Sequence, residues 1–386
     1  MTNAVIIGGG VVGLGIALAL REAGLEVLVL EKSIVGGEAS DAAAGMLAPR
    51  LENLARDPVF ELGEHSLARY PDWVRHIEDA SGLSVDFAVN GAVEMFDDAE
   101  ALAARRTALQ AQPRAASASD VSAASDASDA SRASQVSGGS WVELDAAGLR
   151  EHVPSVSSRF IGGYLHRAEA QVDPRRLVRA LHRASLRAGV LIHEGALVHR
   201  IVHAKGQVEA VELVDQKVRT DIVVLAAGAW SSQIFGSELH KSKVKPVRGQ
   251  MVVLRPRRAP SRPFIAAGGR YLVSRRDGRV LVGATMEECG FNKSTTAEGV
   301  SGLLSWALDT VPALAEASFV ESWAGLRPAT PDHRPLIGTT GVGGLFVATG
   351  HHRNGVLHAP ATAEFIRDLI LERTPPLDLT AFNPKR

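Results

Sequence analysis

A glycine-rich turn at residues 8–13 places the strongest constraint on how this chain can fold. The four residues before it, Ala4–Ile7, are apolar and mostly β-branched, as in a strand buried on both faces of a parallel sheet. Helix formers follow up to Gly24, and residues 25–31 (LEVLVLE) have the composition of a second buried strand. The sequence therefore predicts a strand, turn, helix and strand in succession.

The glycines of this turn, Gly8, Gly10 and Gly13, have the spacing of a dinucleotide-binding motif. A pyrophosphate must approach the helix N-terminus closely enough to accept backbone N–H bonds, and a Cβ at these positions would obstruct it. Glu31 lies 18 residues beyond Gly13, where a carboxylate can accept hydrogen bonds from ribose hydroxyls and would repel a 2′-phosphate. This unit alone predicts a dinucleotide; NAD and FAD both fit, and NADP is disfavoured.

Composition excludes several classes of protein. The chain has 386 residues, 46% of them hydrophobic, which is enough for two domains with substantial cores. Lys and Arg (42) nearly balance Asp and Glu (43), so we expect no nucleic-acid partner and no binding to an anionic membrane. The uncharged run at residues 4–20 contains five glycines and ends before the length of a bilayer span, so we expect no membrane span and no targeting segment. One cysteine, Cys289, fits a reducing compartment, and we expect a cytoplasmic protein.

A low-complexity segment occupies residues 115–134. Eighteen of its twenty residues are Ala, Ser or Asp, with no aromatic residue and no apolar period. Such a segment cannot offset its ordering entropy by burial. It is predicted to be a disordered surface insertion; the alternative, a docking linker, has no residue in the segment that could anchor a partner.

The rest of the chain predicts alternating elements that return to the first sheet. Asp173 and Pro174 supply the N-cap and first position of a helix that continues to Arg187. Residues 221–230 (DIVVLAAGAW) predict a buried strand that rejoins the dinucleotide-binding sheet and enters a small-residue turn at Gly228. The other predicted elements are strands within residues 151–165 and at 190–193, 201–213, 245–255, 270–275, 279–284 and 345–350, and a helix at 359–371. Turn signals such as Asp277-Gly278 favour antiparallel pairing among the later strands.

Four further blocks have a more specific pattern. They are ASDAAAGMLAP at 39–49, YLVSRRDGRVLVGATM at 271–286, WAGLRPATPDHRPLIG at 323–338 and GHHRNGVLHAPATAEFIRDLI at 350–370. Together with the opening unit, these blocks resemble the D-amino-acid oxidase family of FAD enzymes, and within it the glycine oxidases of thiamine biosynthesis. The resemblance covers nearly the whole chain except the insertion.

The resemblance implies a fold of class α/β plus α+β. It consists of a Rossmann-like FAD-binding domain of the glutathione-reductase type and an interleaved substrate domain built on a mostly antiparallel sheet. We predict that residues 1–75, 150–235 and 322–375 form the FAD-binding domain, and that residues 76–149 and 236–321 form the substrate-binding domain. Gly325 stands where monomeric sarcosine oxidases carry their flavin-linking cysteine, before the Thr-Pro-Asp motif that begins at Thr330. The FAD is therefore predicted to be non-covalent.

Two of the blocks also have a physical reason to contact a flavin. Small residues at 40–45 let backbone pass close to a flat ring or a phosphate; the alternative is an ordinary helix start capped by Ser40 or Asp41. The turn at 350–355 precedes a helix whose positive N-terminus suits the C2 carbonyl region of a reduced isoalloxazine. Val198 is assigned by the resemblance alone, as the residue whose main chain meets the adenine. The predicted cofactor contacts are Gly8, Gly10, Gly13, Glu31, Ser40, Ala43, Gly45, Met46, Val198, Gly228, Arg353, Gly355 and Val356.

The resemblance implies a substrate site around Arg327, whose planar fork can donate two parallel hydrogen bonds to a carboxylate. Tyr271 matches the second carboxylate ligand, Met286 a residue that lines the cavity, and Arg353 a position near both flavin and substrate. From the residues alone, Arg327 could be a solvated charge, Tyr271 a half-buried strand aromatic and Met286 a core residue. His352 stands where the family commonly has an aromatic residue, and Gly269 where a relative has His, which leaves substrate preference open.

The activity implied is oxidation of glycine, and of other small amines such as sarcosine or D-alanine, to an imine or glyoxylate, ammonia and hydrogen peroxide. The imine feeds thiazole synthesis for thiamine in this family. Hydride can pass from the substrate α-carbon to the flavin if the amine is neutral and well aligned, so no catalytic base and no metal are assigned. A small amino acid and molecular oxygen are the expected partners.

Other functions remain compatible with the sequence. A sarcosine oxidase or a D-amino-acid oxidase or dehydrogenase would share the fold and the arginine, whereas a flavoprotein that uses FAD only for structure or electron transfer would not need the arginine. The sequence leaves open the ranking of substrates, oxygen or a quinone as acceptor, and the oligomeric state, including a homo-oligomer.

Overall fold

The computed structural model describes residues 4–52, 57–111 and 141–386. The predicted insertion at 115–134 lies outside these residues. In the described ranges the α-helices are, in chain order, α1 (Val11–Glu22), α2 (Ala39–Ala42), α3 (Pro49–Glu52), α4 (Pro58–Ser81), α5 (Ala99–Ala111), α6 (Ala146–His152), α7 (Pro174–Ala188), α8 (Ala297–Thr310) and α9 (Gly355–Ile370). Short 3-10 helices occupy Gly228–Gln233, Pro312–Glu316 and Thr380–Phe382.

The strands of the described ranges form four sheets. They are β1 (Ala4–Ile7), β2 (Val27–Leu30), β3 (Met46–Leu47), β4 (Ala88–Val89), β5 (Ala92–Phe96), β6 (Trp141–Asp145), β7 (Gly162–His166), β8 (Ala170–Gln171), β9 (Leu191–His193), β10 (Val198–Ala204), β11 (Gln207–Leu213), β12 (Lys217–Arg219), β13 (Val223–Leu225), β14 (Lys245–Arg255), β15 (Phe264–Ala267), β16 (Arg270–Ser274), β17 (Val280–Gly283), β18 (Ser318–Ala329), β19 (Leu336–Thr339) and β20 (Leu345–Thr349). Two of the sheets are small: β10-β11-β12 and β3-β8-β4.

The first large sheet has six strands in the order β19-β20-β13-β1-β2-β9, and only β19 pairs antiparallel to its neighbour. The predicted unit of β1, α1 and β2 is confirmed, as is the return of the chain at β13 beside β1. The carboxyl ends of parallel strands meet at one edge of a sheet. Gly8, Glu31, Gly228 and Gly350 all follow strands of this sheet, so they are brought to the same edge.

The second large sheet has eight strands in the order β18-β14-β17-β16-β15-β5-β7-β6, and only β15 and β5 are parallel. The predicted mostly antiparallel sheet is therefore confirmed. One of its faces packs with α8 through Leu303, Trp306 and Ala307, and the other face packs with Ala44 and Ala48. In this sheet β18 pairs with β14, and β7 pairs with β5 and β6. The proposed domain boundaries stay a prediction.

Local signals explain the helix at 174–188. Asp173 Oδ1 accepts hydrogen bonds from the amides of Arg175 (3.0 Å) and Arg176 (3.2 Å), and Pro174 occupies the first turn. Gly189, at φ 91°, ends the helix in the left-handed conformation that glycine adopts most readily. The predicted helix is confirmed with an end within one residue of the expected position.

Among the helices of the described ranges, none combines the length and apolar character needed to cross a bilayer.

Two sequence predictions were wrong in detail. The single strand expected at 201–213 is the antiparallel pair β10 and β11, because Lys205 (φ 51°) and Gly206 (φ 78°) form a tight turn between them. The last helix begins at Gly355 rather than at 359, and so it contains Pro360. Proline cannot donate the backbone hydrogen bond to the carbonyl four residues earlier, that of Val356. The hydroxyl of Tyr70 donates to this carbonyl instead (2.5 Å), so the carbonyl keeps a hydrogen-bond partner inside the helix.

Candidate active site

A cavity of about 580 Å³ lies between the carboxyl edge of the six-stranded sheet and the face of the eight-stranded sheet that carries Tyr271. Its walls include every predicted site residue except Gly13. The volume is within the usual range for small-molecule and cofactor sites. The fold therefore brings the predicted residues together at one place, and their individual roles stay proposals.

One wall of the cavity is the turn between β1 and α1. Two positions associated with this turn, Gly8 and Gly13, have no room for a side chain. Gly8 has φ 112°, and a Cβ there would lie 2.4 Å from the carbonyl oxygen of Ala226. A Cβ at Gly13 would lie 2.0 Å from the carbonyl oxygen of Gly8. Gly13 thus lies behind the turn and sets how closely α1 approaches it, and the first residues of the helix line the cavity, where a helix N-terminus favours an anion.

Glu31 is buried at the end of β2, and its carboxylate is fixed by backbone donors. Oε2 accepts from the amide of Gly9 (2.8 Å), and Oε1 accepts from the amide of Ser33 (3.0 Å). These bonds orient an acceptor at the cavity wall, where it can also receive a ribose hydroxyl. The arrangement agrees with the predicted preference for an adenosine without a 2′-phosphate.

Ser40 has a role that its local sequence did not indicate. Its Oγ accepts a hydrogen bond from the amide of Val11 (3.0 Å), the first residue of α1. Gly10, the N-cap of α1, has no side chain that could do so. Ser40 therefore caps α1 across the cavity instead of beginning its own helix α2, whose N-cap is Glu38.

The segment at 43–46 is held against the cavity by a buried cation. Gly45 has φ 73°, and a Cβ there would lie 2.0 Å from the carbonyl oxygen of Val172. The guanidinium of Arg275 donates to that carbonyl (2.9 Å) and to the carbonyl of Ala44. Burial lowers the pKa of Arg275 to about 10, so the side chain stays charged at neutral pH. Ala43 and Met46, on either side of Ala44 and Gly45, line the cavity.

The remaining cofactor candidates lie at helix and strand ends. Val198 begins β10, and Gly228 (φ 53°) begins a 3-10 helix, with its carbonyl accepting from Thr349 Oγ1 (3.0 Å). Gly355 and Val356 form the first turn of α9, whose N-cap residue Asn354 makes no side-chain capping bond in the described structure. Both residues line the cavity, and helix N-termini favour negative charge.

These observations fit a bound dinucleotide with a flavin. Two helix N-termini, the orienting carboxylate of Glu31 and positions that only glycine can occupy line one cavity. No cluster of three or more His, Cys, Asp or Glu side chains in the described ranges is placed to hold a metal ion.

Arg327 lies on the face of β18 that looks into the cavity. Its Nη1 donates to the carbonyl of Thr285 (3.0 Å), and its guanidinium lies over Gly249 of the neighbouring strand β14. A Cβ at Gly249 would be 2.2 Å from both terminal nitrogens of Arg327. The glycine therefore gives the guanidinium a flat floor, and the other N–H groups of the fork can bind a carboxylate.

Tyr271 occupies the same face of the sheet on β16. Its ring lies over Gly283, where a Cβ would be 2.5 Å from the ring, and its hydroxyl donates to Met251 Sδ at 3.3 Å. Burial raises the pKa of Tyr271, although the positive charge of Arg327 opposes this change. The phenol is therefore a neutral hydrogen-bond donor beside Arg327.

The other two predicted substrate residues lie nearer the opening of the cavity. Met286 is 58% exposed, so it is a cavity-wall residue and not part of a core. Arg353 is also exposed, and its Nε donates to Glu52 Oε2 at 2.9 Å. One of the two arginines at this end thus has a carboxylate partner within the protein.

His352 is half-buried between these arginines and the loop that follows β18. Its amide donates to the carbonyl of Pro328 (2.7 Å), and its ring stacks on His333 with 5.1 Å between centroids. Burial, and then the charges of Arg327 and Arg353, lower the pKa of His352 to about 4. The imidazole is neutral at neutral pH and occupies the place of an aromatic ring without adding charge.

Sequence reasoning missed several residues of the cavity wall. Lys32 Nζ lies 3.6 Å from the ring centroid of Trp230 and 2.6 Å from Glu38 Oε1. Glu52, the partner of Arg353, was also missed. The position of Lys32 directly after Glu31 was a usable signal, whereas the contact between residues 52 and 353 depends on tertiary structure alone.

Comparison with known proteins places the chain among flavoenzymes. The family model described as DAO, FAD dependent oxidoreductase, matches residues 3–369. The chain is 36% identical over 393 residues to the bifunctional protein ThiO/ThiG of Synechocystis sp., with 100% of the chain and 54% of that protein covered. It spans about half the length of the curated relatives that it matches in this bifunctional group.

Relatives of similar length carry a more specific name. The chain is 32% identical to the glycine oxidase of Pseudomonas putida, with 99% of the chain and 98% of that protein covered. The crystal structure of glycine oxidase from Geobacillus kaustophilus superimposes with a TM-score of 0.89 at 27% identity, covering 100% of this chain and 98% of the other.

Proposed function

This chain belongs to the DAO family of FAD-dependent oxidoreductases, and from that premise we propose that it is an oxidase of glycine and other small amino acids. The observation that carries the proposal is the Arg327 guanidinium on its floor of Gly249, beside the neutral hydroxyl of Tyr271, in the cavity that Glu31 and α1 also line. The names of the full-length relatives support glycine as the substrate.

The residues of this chain bind and align the substrate. Arg327 is proposed to take the substrate carboxylate through two parallel N–H bonds, and Tyr271 to donate a further hydrogen bond to it. When bound, FAD would supply the acceptor for a hydride from the α-carbon, and its reoxidation by oxygen would yield hydrogen peroxide. Alignment of the α-carbon by Arg327 and Tyr271 is sufficient without a protein base if the amine is neutral. The imine product then hydrolyses to glyoxylate and ammonia.

We further propose that the FAD is non-covalent, that the imine supplies thiamine thiazole synthesis, and that the enzyme is cytoplasmic. Gly325 leaves no thiol at the position used for attachment in sarcosine oxidases, and the sole cysteine of the sequence, Cys289, is not among the residues that line the cavity. Sarcosine and D-alanine are proposed as secondary substrates, because both contain the α-amino carboxylate unit.

The test of this function is turnover by the purified, FAD-saturated protein. Oxygen consumption, peroxide, glyoxylate and ammonia are measured with glycine, sarcosine and D-alanine. We expect stoichiometric peroxide and glyoxylate from glycine. A protein that binds FAD but consumes no oxygen and forms no glyoxylate, even with an artificial electron acceptor, would instead be a flavoprotein for electron transfer or structure.

The Gly249→Ala variant tests the floor beneath Arg327. The added Cβ would lie 2.2 Å from the guanidinium nitrogens, and the flexible arginine can move away while the strand stays folded. We expect normal FAD content and a KM for glycine raised about tenfold, equivalent to about 1.4 kcal/mol. The control is Gly302→Ala in α8, where a Cβ meets nothing within 4 Å. Equal KM values for the two variants would show that Arg327 does not bind substrate in its observed position.

A further inference from the structure

The substrate end of the cavity contains two arginines in different electrostatic states. Arg327 donates to a carbonyl and forms no ion pair with a carboxylate of the described ranges. Arg353 is paired with Glu52 at 2.9 Å, and the Glu52 side chain is only 13% exposed. Two cations and one anion leave one net positive charge at this end, which matches a substrate with a single carboxylate and a neutral amine.

The neighbouring groups do not alter this balance. Arg270 also lines the cavity, but its guanidinium donates to the carbonyl of Gly302 in α8 (3.3 Å), on the other face of the sheet. Tyr271 and His352 are both uncharged at neutral pH, for the reasons given above. Glu94 lies in register with Ala266, which is itself paired with Tyr271 across the sheet. Its carboxylate accepts from Arg105 Nε (2.8 Å) and from His166 Nε2 (2.9 Å), so its charge is already compensated.

The backbone before Glu52 is fixed from two sides. The buried carboxyl of Glu169 accepts hydrogen bonds from the amides of Arg50 (3.0 Å) and Leu51 (3.2 Å). The guanidinium of Arg105 donates to the carbonyls of the same two residues (3.2 and 3.3 Å). The fold therefore fixes the backbone that leads into Glu52, and the Glu52 side chain is largely buried where it meets Arg353.

We propose that Glu52 determines specificity by neutralising Arg353, so that the site accepts amines with one carboxylate and rejects those with a second. A second carboxylate entering this end would meet the Glu52 carboxylate, and juxtaposed like charges oppose binding strongly. Without the charge of Glu52, Arg353 becomes a second binding group of the same kind as Arg327. The inference rests on the proposed function, because it assumes that amino acids bind at Arg327.

The test compares ligands that differ only by one carboxylate. Iminodiacetate is sarcosine with a second carboxylate on its N-methyl group. Malonate is likewise acetate with a second carboxylate, and neither of these two acids has an amine that could be oxidised. The dissociation constants of acetate and malonate are measured from the change they cause in the flavin spectrum of the FAD-saturated protein. Oxygen consumption gives kcat/KM for sarcosine and iminodiacetate.

In Glu52→Gln, which keeps the shape and an acceptor oxygen, we expect the preference for malonate over acetate to rise at least about tenfold. The ratio of kcat/KM for iminodiacetate to that for sarcosine should rise in parallel. Arg353→Gln should shift both ratios in the opposite direction, because it leaves the Glu52 charge without a partner. The matched control is Glu26→Gln, which removes the carboxylate paired with Arg21 outside the cavity wall and should leave both ratios unchanged.

Unchanged ratios in Glu52→Gln, or equal shifts in Glu52→Gln and Glu26→Gln, would overturn the inference. If the native protein does not oxidise glycine, the proposed function fails, and the malonate and acetate constants still decide the role of Glu52. If Glu52→Gln does not fold, Arg353→Gln decides it, because a ratio that does not fall in that variant contradicts the inference.

Discussion

A Gly13→Ala variant is expected to be isolated without FAD and to have no oxidase activity. Its Cβ would lie 2.0 Å from the carbonyl oxygen of Gly8, and both are tied to backbone that cannot easily move. The amide of Gly8 donates to the carbonyl of Leu30 at 2.9 Å, which fixes the turn to the sheet. Helix α1 must therefore move away from the turn, and its N-terminal amides would leave the place where they can hold a pyrophosphate.

The control for this variant lies on the same helix. Gly15→Ala adds the same methyl group, but its nearest neighbours are Trp73 at 3.5 Å and Ala363 at 3.6 Å, which are ordinary van der Waals contacts. The measurement is the flavin-to-protein absorbance ratio after saturation with FAD, together with the thermal unfolding midpoint with and without FAD. FAD content in Gly13→Ala equal to that in Gly15→Ala would show that the turn does not hold the dinucleotide.

An Arg327→Ala variant is expected to bind FAD normally and to lose most of its activity with glycine. Truncating one partner of a buried, hydrogen-bonded charge pair costs about 2–5 kcal/mol, which is roughly 30-fold or more in kcat/KM. The structure explains why no other group should substitute, since Arg353 is already paired with Glu52. Steady-state kinetics with glycine provide the measurement.

Two further variants separate charge from geometry. Arg327→Lys keeps the positive charge but not the planar fork, so its loss should be smaller than that of Arg327→Ala. Arg255→Ala removes an exposed arginine from the end of β14, outside the cavity wall, and should leave kcat/KM unchanged. If Arg327→Ala behaves like Arg255→Ala, Arg327 is a solvated charge and the substrate binds elsewhere.

The part of the fold that could be predicted is the part determined by neighbouring residues. The Gly8, Gly10 and Gly13 pattern between two apolar segments specified β1, α1 and β2, because each of these elements has its own signal in sequence. Asp173 and Pro174 fixed the start of α7 for the same reason. The turn at Lys205 and Gly206 was missed, since the alternation of apolar residues continues through it.

Other features depend on residues that are distant in sequence. In α9 the carbonyl of Val356, which Pro360 leaves without a helical donor, accepts its hydrogen bond from Tyr70, 286 residues earlier in the chain. The floor under Arg327 requires β18 to pair with β14 so that Gly249 lies beneath the guanidinium. The sequence could therefore identify Arg327 through a resemblance, but not the glycine that positions it.

The net charge of the site could not be predicted from the sequence either. The partner of Arg353 is 301 residues away, and only the folded chain brings Glu52 to it. The neutral state of His352 likewise depends on burial and on two arginines that come together in the fold. Residue identities could predict a cationic site, whereas its net charge follows from tertiary structure.

The most direct test of the central claim is an anaerobic titration of the FAD-saturated protein with glycine, followed by the absorbance of oxidised flavin. If an amino acid held by Arg327 reduces the flavin, the oxidised band should bleach completely in the native protein, and Arg327→Ala should need roughly 30-fold more glycine or more. A flavin that stays oxidised in the native protein with excess glycine, sarcosine or D-alanine would show that the protein does not oxidise these amino acids.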